Sequence, residues 1–376
     1  MKRAVTITEI AQESGVSIAT VSRVLNQNPR VAPETRKRVE EVIEKYEYSP
    51  SDLARGMVNK KTMMIGVVIP DISNPYFAAM FNEIEQSAHD AGYSVFLCNT
   101  MFTSDSKHRQ EYEYFRMMLD KKVDGVLIIG GQIDLEEVCS EYVSHLKHMA
   151  SLLPVVVIGR KIDDAGDCIF IQKENGGGVS TAVSYLAAMG HRRIAFVGGE
   201  KGVTITESRL KAYKIAVSAL SLVQDESLIS LSDYYAKDGY NAAVALLAEN
   251  IKFTAVIAIN DAVAKGVIRA LNDNNMNVPD DIALISCDQF IDAEYNMPSL
   301  TSIDQKNELF GRMVIQSLLC AIKGVGEPAV LNFTSELIVR ESSGGLVKAE
   351  KIHESNSTVS NRKTGGRFRL SEKFSL

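Results

Sequence analysis

Apolar residues recur at helical spacing near the start of the chain. Two short amphipathic patterns between Thr6 and Asn26 flank Gly15, and glycine readily adopts the left-handed conformation that a sharp turn needs. Thr6 followed by Glu9 predicts a capping box on the first helix, and Ser17 predicts the cap of the second. Two helices joined in this way are typical of a helix-turn-helix, whose second helix enters the major groove of DNA.

A third amphipathic pattern follows. Pro33 suits the first position of a helix, and Val39, Val42, Ile43 and Tyr46 are spaced to pack on the first two helices. A generic three-helix bundle is the alternative interpretation of residues 1–48. The coincidence of turn, caps and Arg23 favours DNA binding.

The next stretch, residues 49–62, has the signals of a short helix. Ser49 suits a cap, Pro50 the first helical position and Asp52 the positive end of the helix dipole. A helix of about two turns does not persist alone in water. These local features fit a conditional helix and a plain interdomain linker equally well.

From Met63 onward, apolar runs alternate with amphipathic helical stretches. The runs are Ile65–Ile69, Val95–Leu97, Val123–Ile129, Val155–Ile158, Ile169–Ile171, Ile194–Val197, Leu228–Ser230, Ala255–Ile259 and Ile282–Ser286. Helices are predicted at Lys107–Leu119 and Ala262–Leu271 and from Tyr76, Gly176, Ser208 and Asp238. This alternation predicts parallel sheets covered on both faces, and the length favours two sheets. Ligands of such folds bind beyond the carboxyl ends of the strands.

Composition places the chain among ordinary globular proteins, since 45% of residues are hydrophobic and 23% are charged. Residues 1–61 carry 11 Lys and Arg against 8 Asp and Glu, and the remainder carries 30 against 39. A mildly basic head on an acidic body suits a small module that meets phosphates. The five dispersed cysteines, the lack of a signal-peptide core and the lack of a long apolar run predict a reduced, cytoplasmic protein.

The end of the chain, residues 345–376, is polar, and we expect it to be disordered. Its basic final part suits contact with a nucleic acid, but a solvated tail is the interpretation that we favour.

The chain resembles the lactose/galactose-repressor (LacI/GalR) family of bacterial transcription regulators over roughly residues 5–344. The stretches that carry the resemblance are VTITEIAQESGVSIATVSRVLN, NPRVAPETRKRVEEVIEKYEYSPSDLARGM, IGVVIPDISNPYF, GHRRIAFVGG, ESRLKAY, INDAVAKGV, NVPDDIALISCD, PSLTSIDQ and ELIVRESSG. Their number and order make the resemblance specific.

The resemblance implies an all-α helix-turn-helix head (1–48), a hinge helix and linker (49–62) and an α/β core (63–344). The core would consist of two doubly wound parallel-sheet subdomains of the periplasmic-binding-protein type, crossed three times by the chain. By analogy, the first subdomain covers about 63–161 and 292–321, and the second about 162–291 and 322–342. Such regulators form homodimers, which place one head on each half of a near-palindromic operator.

On DNA, the resemblance implies contacts from the recognition helix and the hinge. The residues are Thr6, Ser17, Ile18, Ala19, Thr20, Ser22, Arg23, Asn26, Ala54, Arg55 and Met57. Ile18 and Ala19 are apolar and suit a thymine methyl group, whereas Arg23 can form a bidentate pair with guanine or contact a phosphate. Met57 stands where relatives insert a leucine into the minor groove.

In the core, the resemblance implies an effector pocket between the subdomains. The residues are Asn74, Tyr76, Phe77, Arg160, Arg209, Tyr234, Asn260, Asp288 and Gln305. Aromatic rings, side-chain amides, a carboxylate and guanidinium groups suit a sugar. The alternative is that some of these residues only cap helices or seal the cleft. The stretch Ser286-Cys287-Asp288-Gln289 departs from the family pattern at the pocket rim.

These observations favour a repressor of carbohydrate-utilisation genes controlled by a sugar-like effector. Two alternatives stay open: control of the same DNA-binding role by a protein co-regulator, and a sugar-binding receptor without DNA function. We expect no catalytic residue, no metal, no cofactor and no membrane association. His145, His148 and Cys139 lie on one helical stretch, but they lack a recognised metal-binding register.

Overall fold

The computed structural model describes residues 5–25, 28–46, 48, 61–101, 109–326, 334–345 and 367–368. The chain divides into two compact units, Met1–Met63 and Met64–Leu376. They are called the head and the core below, and each is described by itself.

The described part of the head contains three helices: α1 (Ile7–Ser14), α2 (Ile18–Leu25) and α3 (Pro33–Lys45). The predicted capping box is present, because Thr6 N donates to Glu9 Oε2 at 2.7 Å and Glu9 N donates to Thr6 Oγ1 at 3.4 Å. Gly15 has φ 67° and ψ 33°, which is the predicted left-handed turn between α1 and α2. Ser17 caps α2 by accepting from Thr20 N at 3.2 Å.

Five buried apolar side chains hold the three helices of the head together: Ile10, Ala11, Val21, Val24 and Val39. Val42 and Ile43 pack against them as predicted. The prediction for Tyr46 is wrong. Tyr46 is 38% exposed because α3 ends before it, and Tyr48 packs against the core of the head instead.

The core alternates strands and helices along its length. Its strands are β1 (Met64–Ile69), β2 (Ser94–Asn99), β3 (Gly125–Ile129), β4 (Val155–Ile158), β5 (Ile169–Ile171), β6 (Ile194–Val197), β7 (Ile229–Ser230), β8 (Ala255–Ala258), β9 (Ala283–Ser286), β10 (Thr301–Asp304), β11 (Glu336–Ile338) and β12 (Arg367–Phe368). Its helices are α4 (Pro75–Asp90), α5 (Arg109–Asp120), α6 (Ser140–Ala150), α7 (Gly177–Ala188), α8 (Thr204–Ala219), α9 (Ala236–Ala248), α10 (Asp261–Asp273) and α11 (Asn307–Lys323). No helix in the described ranges combines the length and the apolar character needed to span a bilayer.

Helix α8 begins at Thr204, four residues before the predicted start. The carboxylate of Glu207 accepts a hydrogen bond from Gly202 N at 2.9 Å. This hydrogen bond stabilises the first turn of α8, which contains the β-branched residues Thr204, Ile205 and Thr206. Because β-branched residues have a low helix propensity, the sequence did not indicate a helix here.

The first sheet has the strand order β2-β1-β3-β4-β5, with all pairs parallel. Alternate residues of β1 face opposite layers, as the period of a strand requires. Ile65, Val67 and Ile69 pack toward α4 and α11, whereas Val68 packs toward α5 and α6. Both faces of the sheet are therefore buried, which explains the near-continuous apolar runs of the sequence.

The second sheet has the order β12-β11-β10-β9-β8-β6-β7 and is parallel from β10 to β7. Strand β11 pairs antiparallel with β10, and β12 pairs antiparallel with β11. The expected purely parallel sheet is thus corrected at this edge, because α11, the helix between β10 and β11, packs on the first sheet and does not cross over the second. Arg367–Phe368 also corrects the expectation of a fully disordered tail; the rest of 346–376 lies outside the described residues.

The strand pairings correct the expected subdomain bounds. Strand β5 completes the first sheet, so the first subdomain runs to Ile171 and not to about 161. Strand β10 belongs to the second sheet, while α11 packs on the first. We call residues 64–171 with 307–323 the first lobe and residues 177–304 with 334–343 the second lobe. The chain changes lobes after β5, after β10 and after α11. In the first two crossings the apolar face of the next helix is buried on the other sheet.

Helices α9 and α10 lie in close contact in the second lobe because two glycines face each other's backbone. A Cβ on Gly239 would lie 2.3 Å from Val263 O, and a Cβ on Gly266 would lie 1.9 Å from Ala236 O. Neither neighbouring atom is at the end of a flexible side chain, so the two helices would have to separate.

We expect Gly266→Ala to lower the free energy of unfolding of the core by about 3 kcal/mol, because overpacking against backbone cannot be relieved by a rotamer change. Urea denaturation followed by circular dichroism measures this. Gly177→Ala is the matched control, since its Cβ would meet only the Glu174 carboxylate. Equal stability of the two variants would contradict the packing argument.

Candidate functional site

The exposed face of α2 carries the side chains predicted to meet DNA. Ile18, Ala19 and Arg23 are exposed, and Thr20 and Ser22 are half-buried. The Ser17 and Thr20 hydroxyls lie 2.9 Å apart at the start of the helix. Val21 and Val24 point the other way, into the core of the head. The helix therefore presents one apolar pair and one guanidinium beside two hydroxyl groups.

Thr6 is exposed at the start of α1, where its side chain is occupied by the capping box. The remaining predicted DNA contacts, Asn26, Ala54, Arg55 and Met57, lie outside the described residues.

A cavity of about 270 Å³ lies between the lobes of the core, beyond the carboxyl ends of strands from both sheets. Eight of the nine predicted effector residues line it: Asn74, Tyr76, Phe77, Arg160, Arg209, Tyr234, Asn260 and Asp288. This is the place where parallel sheets are expected to bind a ligand.

The ninth residue, Gln305, does not line the cavity. It lies in the connection between β10 and α11, is 3% exposed, and donates through Nε2 to Cys287 O at 3.0 Å. This bond holds the crossing segment to the residue before Asp288. The prediction of direct ligand contact by Gln305 is therefore corrected to a supporting position behind the cavity wall.

Arg209 and Asp288 form a buried, two-pronged ion pair in the wall of the cavity. Arg209 Nη2 donates to Asp288 Oδ1 at 2.8 Å and Nη1 donates to Asp288 Oδ2 at 3.0 Å, while Nη1 also donates to Ile259 O. Burial disfavours the charged guanidinium, but Asp288 raises the pKa of Arg209 above its usual value. Arg209 Nε is buried without an acceptor among the described residues. The pair is thus fixed in geometry and retains one unused donor.

Three aromatic residues give the cavity an apolar wall. The rings of Tyr76 and Phe77 meet edge to face with centroids 5.0 Å apart. Tyr234 Oη lies 2.6 Å from Thr206 Oγ1, which fixes the ring in the opposite lobe. Rings of this kind pack well on the C–H face of a ligand whose edge is polar.

Other predicted residues are partly occupied by structural contacts. Asn74 caps α4 by accepting from Tyr76 N at 3.0 Å, and Asn260 caps α10 by accepting from Val263 N at 2.9 Å. Arg160 Nη2 donates to the backbone oxygen of Glu136 at 2.7 Å. These side chains position backbone around the cavity as well as facing it.

Further residues line the cavity that the sequence reading did not single out, among them Asp71, Asp134, Lys173 and Asp233. Their sequence signal is that each follows the end of a parallel strand, from which a position at the carboxyl edge can be predicted. That signal marks many polar loop residues and so does not identify these four.

The two lobes contact each other directly beside the cavity. Leu135 and Val203 form an antiparallel bridge, and Glu136 N donates to Gly202 O at 2.9 Å. Tyr235 Oη donates to Asp71 Oδ2 at 2.5 Å. Burial opposes ionisation of Asp71, but hydrogen bonds from Tyr235 and Ser73 lower its pKa. The cleft is therefore closed by hydrogen bonds between the lobes.

Behind the cavity wall, Glu111 is buried in a polar cluster. It accepts from Tyr142 Oη at 2.9 Å and from Gln132 Nε2 at 3.4 Å. Burial raises the pKa of Glu111 from 4.5 to about 7, although these hydrogen bonds lower it. Its carboxylate lies close beneath Gly131, a residue of the cavity lining.

Comparisons with known proteins identify relatives of both parts of the chain. Residues 6–51 match the family described as bacterial regulatory proteins, lacI family, and residues 183–343 match a periplasmic binding protein-like domain. Catabolite control protein A of Priestia megaterium is 36% identical over 315 residues, covering 84% of this chain and 91% of that protein.

Two solved structures are similar over nearly the whole chain. The lac repressor dimer bound to operator and the anti-inducer ONPF superposes with a TM-score of 0.79 at 24% identity, covering 91% of this chain and 99% of that one. A complex of the transcriptional regulator CelR with cellobiose has a TM-score of 0.65 at 27% identity, covering 90% and 99%. The first supports the fold alone.

We expect Arg209→Ala to lower the free energy of unfolding of the core by about 3–5 kcal/mol, because it leaves Asp288 buried and unpaired. The double variant Arg209→Leu/Asp288→Leu should recover more than half of this loss, since no buried charge remains. Urea denaturation of the three proteins measures both effects. Arg269→Ala, which breaks the exposed Arg269–Asp273 pair, is the control and should change stability little. A double variant no more stable than Arg209→Ala would refute the explanation.

We expect Glu111→Gln to stabilise the core at about pH 8 and to have a smaller effect at about pH 5. The folded-state pKa of Glu111 is raised to about 7, so its contribution to stability is present below about 4.5 and is lost as pH rises through about 7. The gain at high pH should be on the order of 2 kcal/mol. Thermal unfolding at both pH values measures it, with the exposed Glu113→Gln on the same helix as control. A difference from the parent protein that does not grow with pH contradicts the assignment.

Proposed function

The chain belongs to the lacI family of bacterial regulatory proteins, and on that premise we propose that a small polyhydroxylated compound, a sugar or sugar derivative, controls its binding to operator DNA. Membership makes it a DNA-binding transcription regulator and not an enzyme. The observation that carries the sugar proposal is the cavity itself, in which aromatic rings and fixed polar groups share one small space.

The chemistry of the cavity supports a polyhydroxylated ligand. Its volume of about 270 Å³ is near the lower end of small-molecule sites, which span about 300–1,000 Å³. Tyr76 and Phe77 offer faces for C–H groups, while Asp288 can accept from hydroxyl groups and Arg209 Nε can donate to one. A sugar ring needs both kinds of contact. The cellobiose complex of a similar regulator supports the same ligand class.

On DNA, we propose that α2 reads bases with Arg23 and makes apolar contacts with Ile18 and Ala19. The guanidinium of Arg23 makes no hydrogen bond or ion pair with any described residue, so it is available for a bidentate contact with guanine. Ser17, Thr20 and Ser22 suit phosphates. A homodimer would place one head on each half-site of a near-palindrome.

The ligand acts by changing how strongly the lobes hold together. The bridge between Leu135 and Val203 and the hydrogen bond from Tyr235 to Asp71 join the lobes beside the cavity. A ligand that binds one arrangement of the lobes better than another shifts the population toward it. Residues 49–62 would pass that change to the head, which alters operator binding.

Selection of binding sites from a randomised duplex pool tests the DNA proposal. The full-length protein should enrich a near-palindrome, and Arg23→Ala should lose discrimination at one symmetric G·C pair, worth about 1–3 kcal/mol. Thr20→Ala is the comparison, because loss of a phosphate contact weakens binding to all sequences alike. Failure to enrich any sequence, with or without candidate sugars, would sink the proposal of a sequence-specific regulator.

Gel-shift titration with the selected duplex tests control by a ligand. A sugar should move the midpoint of operator binding, and Tyr76→Ala, which removes a ring from the cavity wall, should abolish that response while operator binding persists. Regulation in cells that survives Tyr76→Ala would point instead to a protein co-regulator.

A further inference from the structure

We infer that Asp134 is a ligand-recognition residue. The cavity then selects neutral polyhydroxylated ligands and their amino derivatives over phosphorylated or carboxylated ones. This inference rests on the proposed function, because it names the charge class of the ligand in the same cavity.

Asp134 lies at the cavity wall. It ends the short 3₁₀ turn Gly131–Asp134 that follows β3. Gly130 begins this turn with φ 72°, and a Cβ there would lie 3.1 Å from Asp134 Oδ2 and 3.1 Å from the Phe77 ring. Glycine at 130 therefore permits both the backbone conformation and the position of the carboxylate beside the aromatic wall.

Asp134 differs from Asp288, Asp71 and Asp233 in receiving no hydrogen bond from the described residues. Asp288 accepts from Arg209, Asp71 accepts from Tyr235 and Ser73, and Asp233 accepts from Tyr234 N. None of the described residues donates to Asp134, and burial raises its pKa from 3.8 to about 7. Asp134 is half-buried, and a partly desolvated carboxyl group without a donor gains from a ligand that supplies one.

The cations that line the cavity are already engaged with the protein. Arg209 is paired with Asp288, and Arg160 donates to the backbone oxygen of Glu136. Lys173 donates to Asn307 Oδ1 and lies over the Phe310 ring, and burial lowers its pKa to about 8. Arg209 is thus already neutralised by a carboxylate, whereas Arg160 and Lys173 keep their charge but each direct a donor to a protein oxygen.

Three of the helix ends near the cleft are capped by side chains. An uncapped helix N-terminus is a ready anion site. Asn74 caps α4, Asn260 caps α10, and the Glu174 carboxylate accepts from the backbone N–H groups of Gly176 and Gly177 at the start of α7. Helices α8 and α9 begin without a side-chain cap, but Glu207 and Asp238 place a carboxylate in their first turns, where it opposes a second anion.

The balance of charge points the same way. Five carboxyl groups line the cavity, those of Asp71, Asp134, Glu200, Asp233 and Asp288, against three basic side chains, Arg160, Lys173 and Arg209. A dianionic phosphate would enter a negatively charged, partly desolvated space, where repulsion is strong. An ammonium or hydroxyl donor would meet an open acceptor in Asp134.

Thermal shift and calorimetric titration of the full-length protein test the inference. The probes are matched sets: glucose, galactose, mannose, ribose and cellobiose; glucosamine, galactosamine and mannosamine; and the phosphates of glucose, galactose, mannose and ribose. We expect neutral or amino compounds to stabilise the protein and their phosphates to bind at least about tenfold more weakly. Affinity for an amino compound should rise from about pH 6 to about pH 7.5 as Asp134 ionises.

Asp134→Asn should weaken binding of the amino compound about tenfold more than binding of its neutral parent, because it removes a charge-assisted hydrogen bond. Glu137→Gln, an exposed carboxylate of the same loop, is the matched control. If a phosphate binds more tightly than its parent sugar, or if Asp134→Asn loses no affinity, the inference is overturned but the proposed function is not. A panel in which no compound stabilises the protein overturns the proposed ligand class and the inference with it.

Discussion

The buried ion pair between Arg209 and Asp288 organises the cavity. Both side chains are almost completely buried, at 2% and 6% exposed. Their contacts join α8 to the ends of β8 and β9, because Arg209 also donates to Ile259 O. Hydrophobic residues would fill this space at a lower desolvation cost. The ion pair therefore fixes the positions of polar atoms more than it stabilises the fold. Its oxygen and nitrogen atoms stay fixed where the second lobe faces the first, which a mobile surface pair could not achieve.

Local features of the head were predictable because the interactions that fix them span few residues. Thr6 and Glu9 are three positions apart, and Gly15 requires only its own backbone conformation. Strands β1 to β9 were equally visible, since runs such as Val155–Ile158 and Ala255–Ala258 are buried throughout and have no polar face. Strands β10, β11 and β12 were not predicted. Tyr46 shows the limit. The periodicity placed it on the buried stripe, but the helix ends before it, and helix ends are set by local geometry that periodicity does not encode.

The alternation of strands and helices indicated where a cavity would lie, but its residues were predictable only through the resemblance, and then only in part. Gln305 illustrates the reason: a position that aligns with a ligand contact can still turn its amide to a backbone oxygen, here that of Cys287. The lobe bounds failed for a related reason, because β5 and β10 are decided by pairing between strands far apart in the sequence. Asp134 carried no motif at all. The role that we infer for it rests on its surroundings in space, namely that no described residue donates to it and that carboxylates outnumber cations in the cavity lining.

The loop that presents Asp134 also holds the lobes together. Leu135 and Glu136, the next two residues, make the bridge to Val203 and the hydrogen bond to Gly202, and Arg160 braces their backbone oxygens from below. A ligand that pairs with Asp134 therefore acts one residue away from the contact that closes the cleft. Ligand binding and cleft closure can therefore be coupled locally. The carboxylate that would bind the ligand and the residues that bridge the lobes are consecutive, and Arg160 donates to the backbone of this segment. Closure in turn strengthens the contact with the ligand, since excluding water raises the value of each charged hydrogen bond inside.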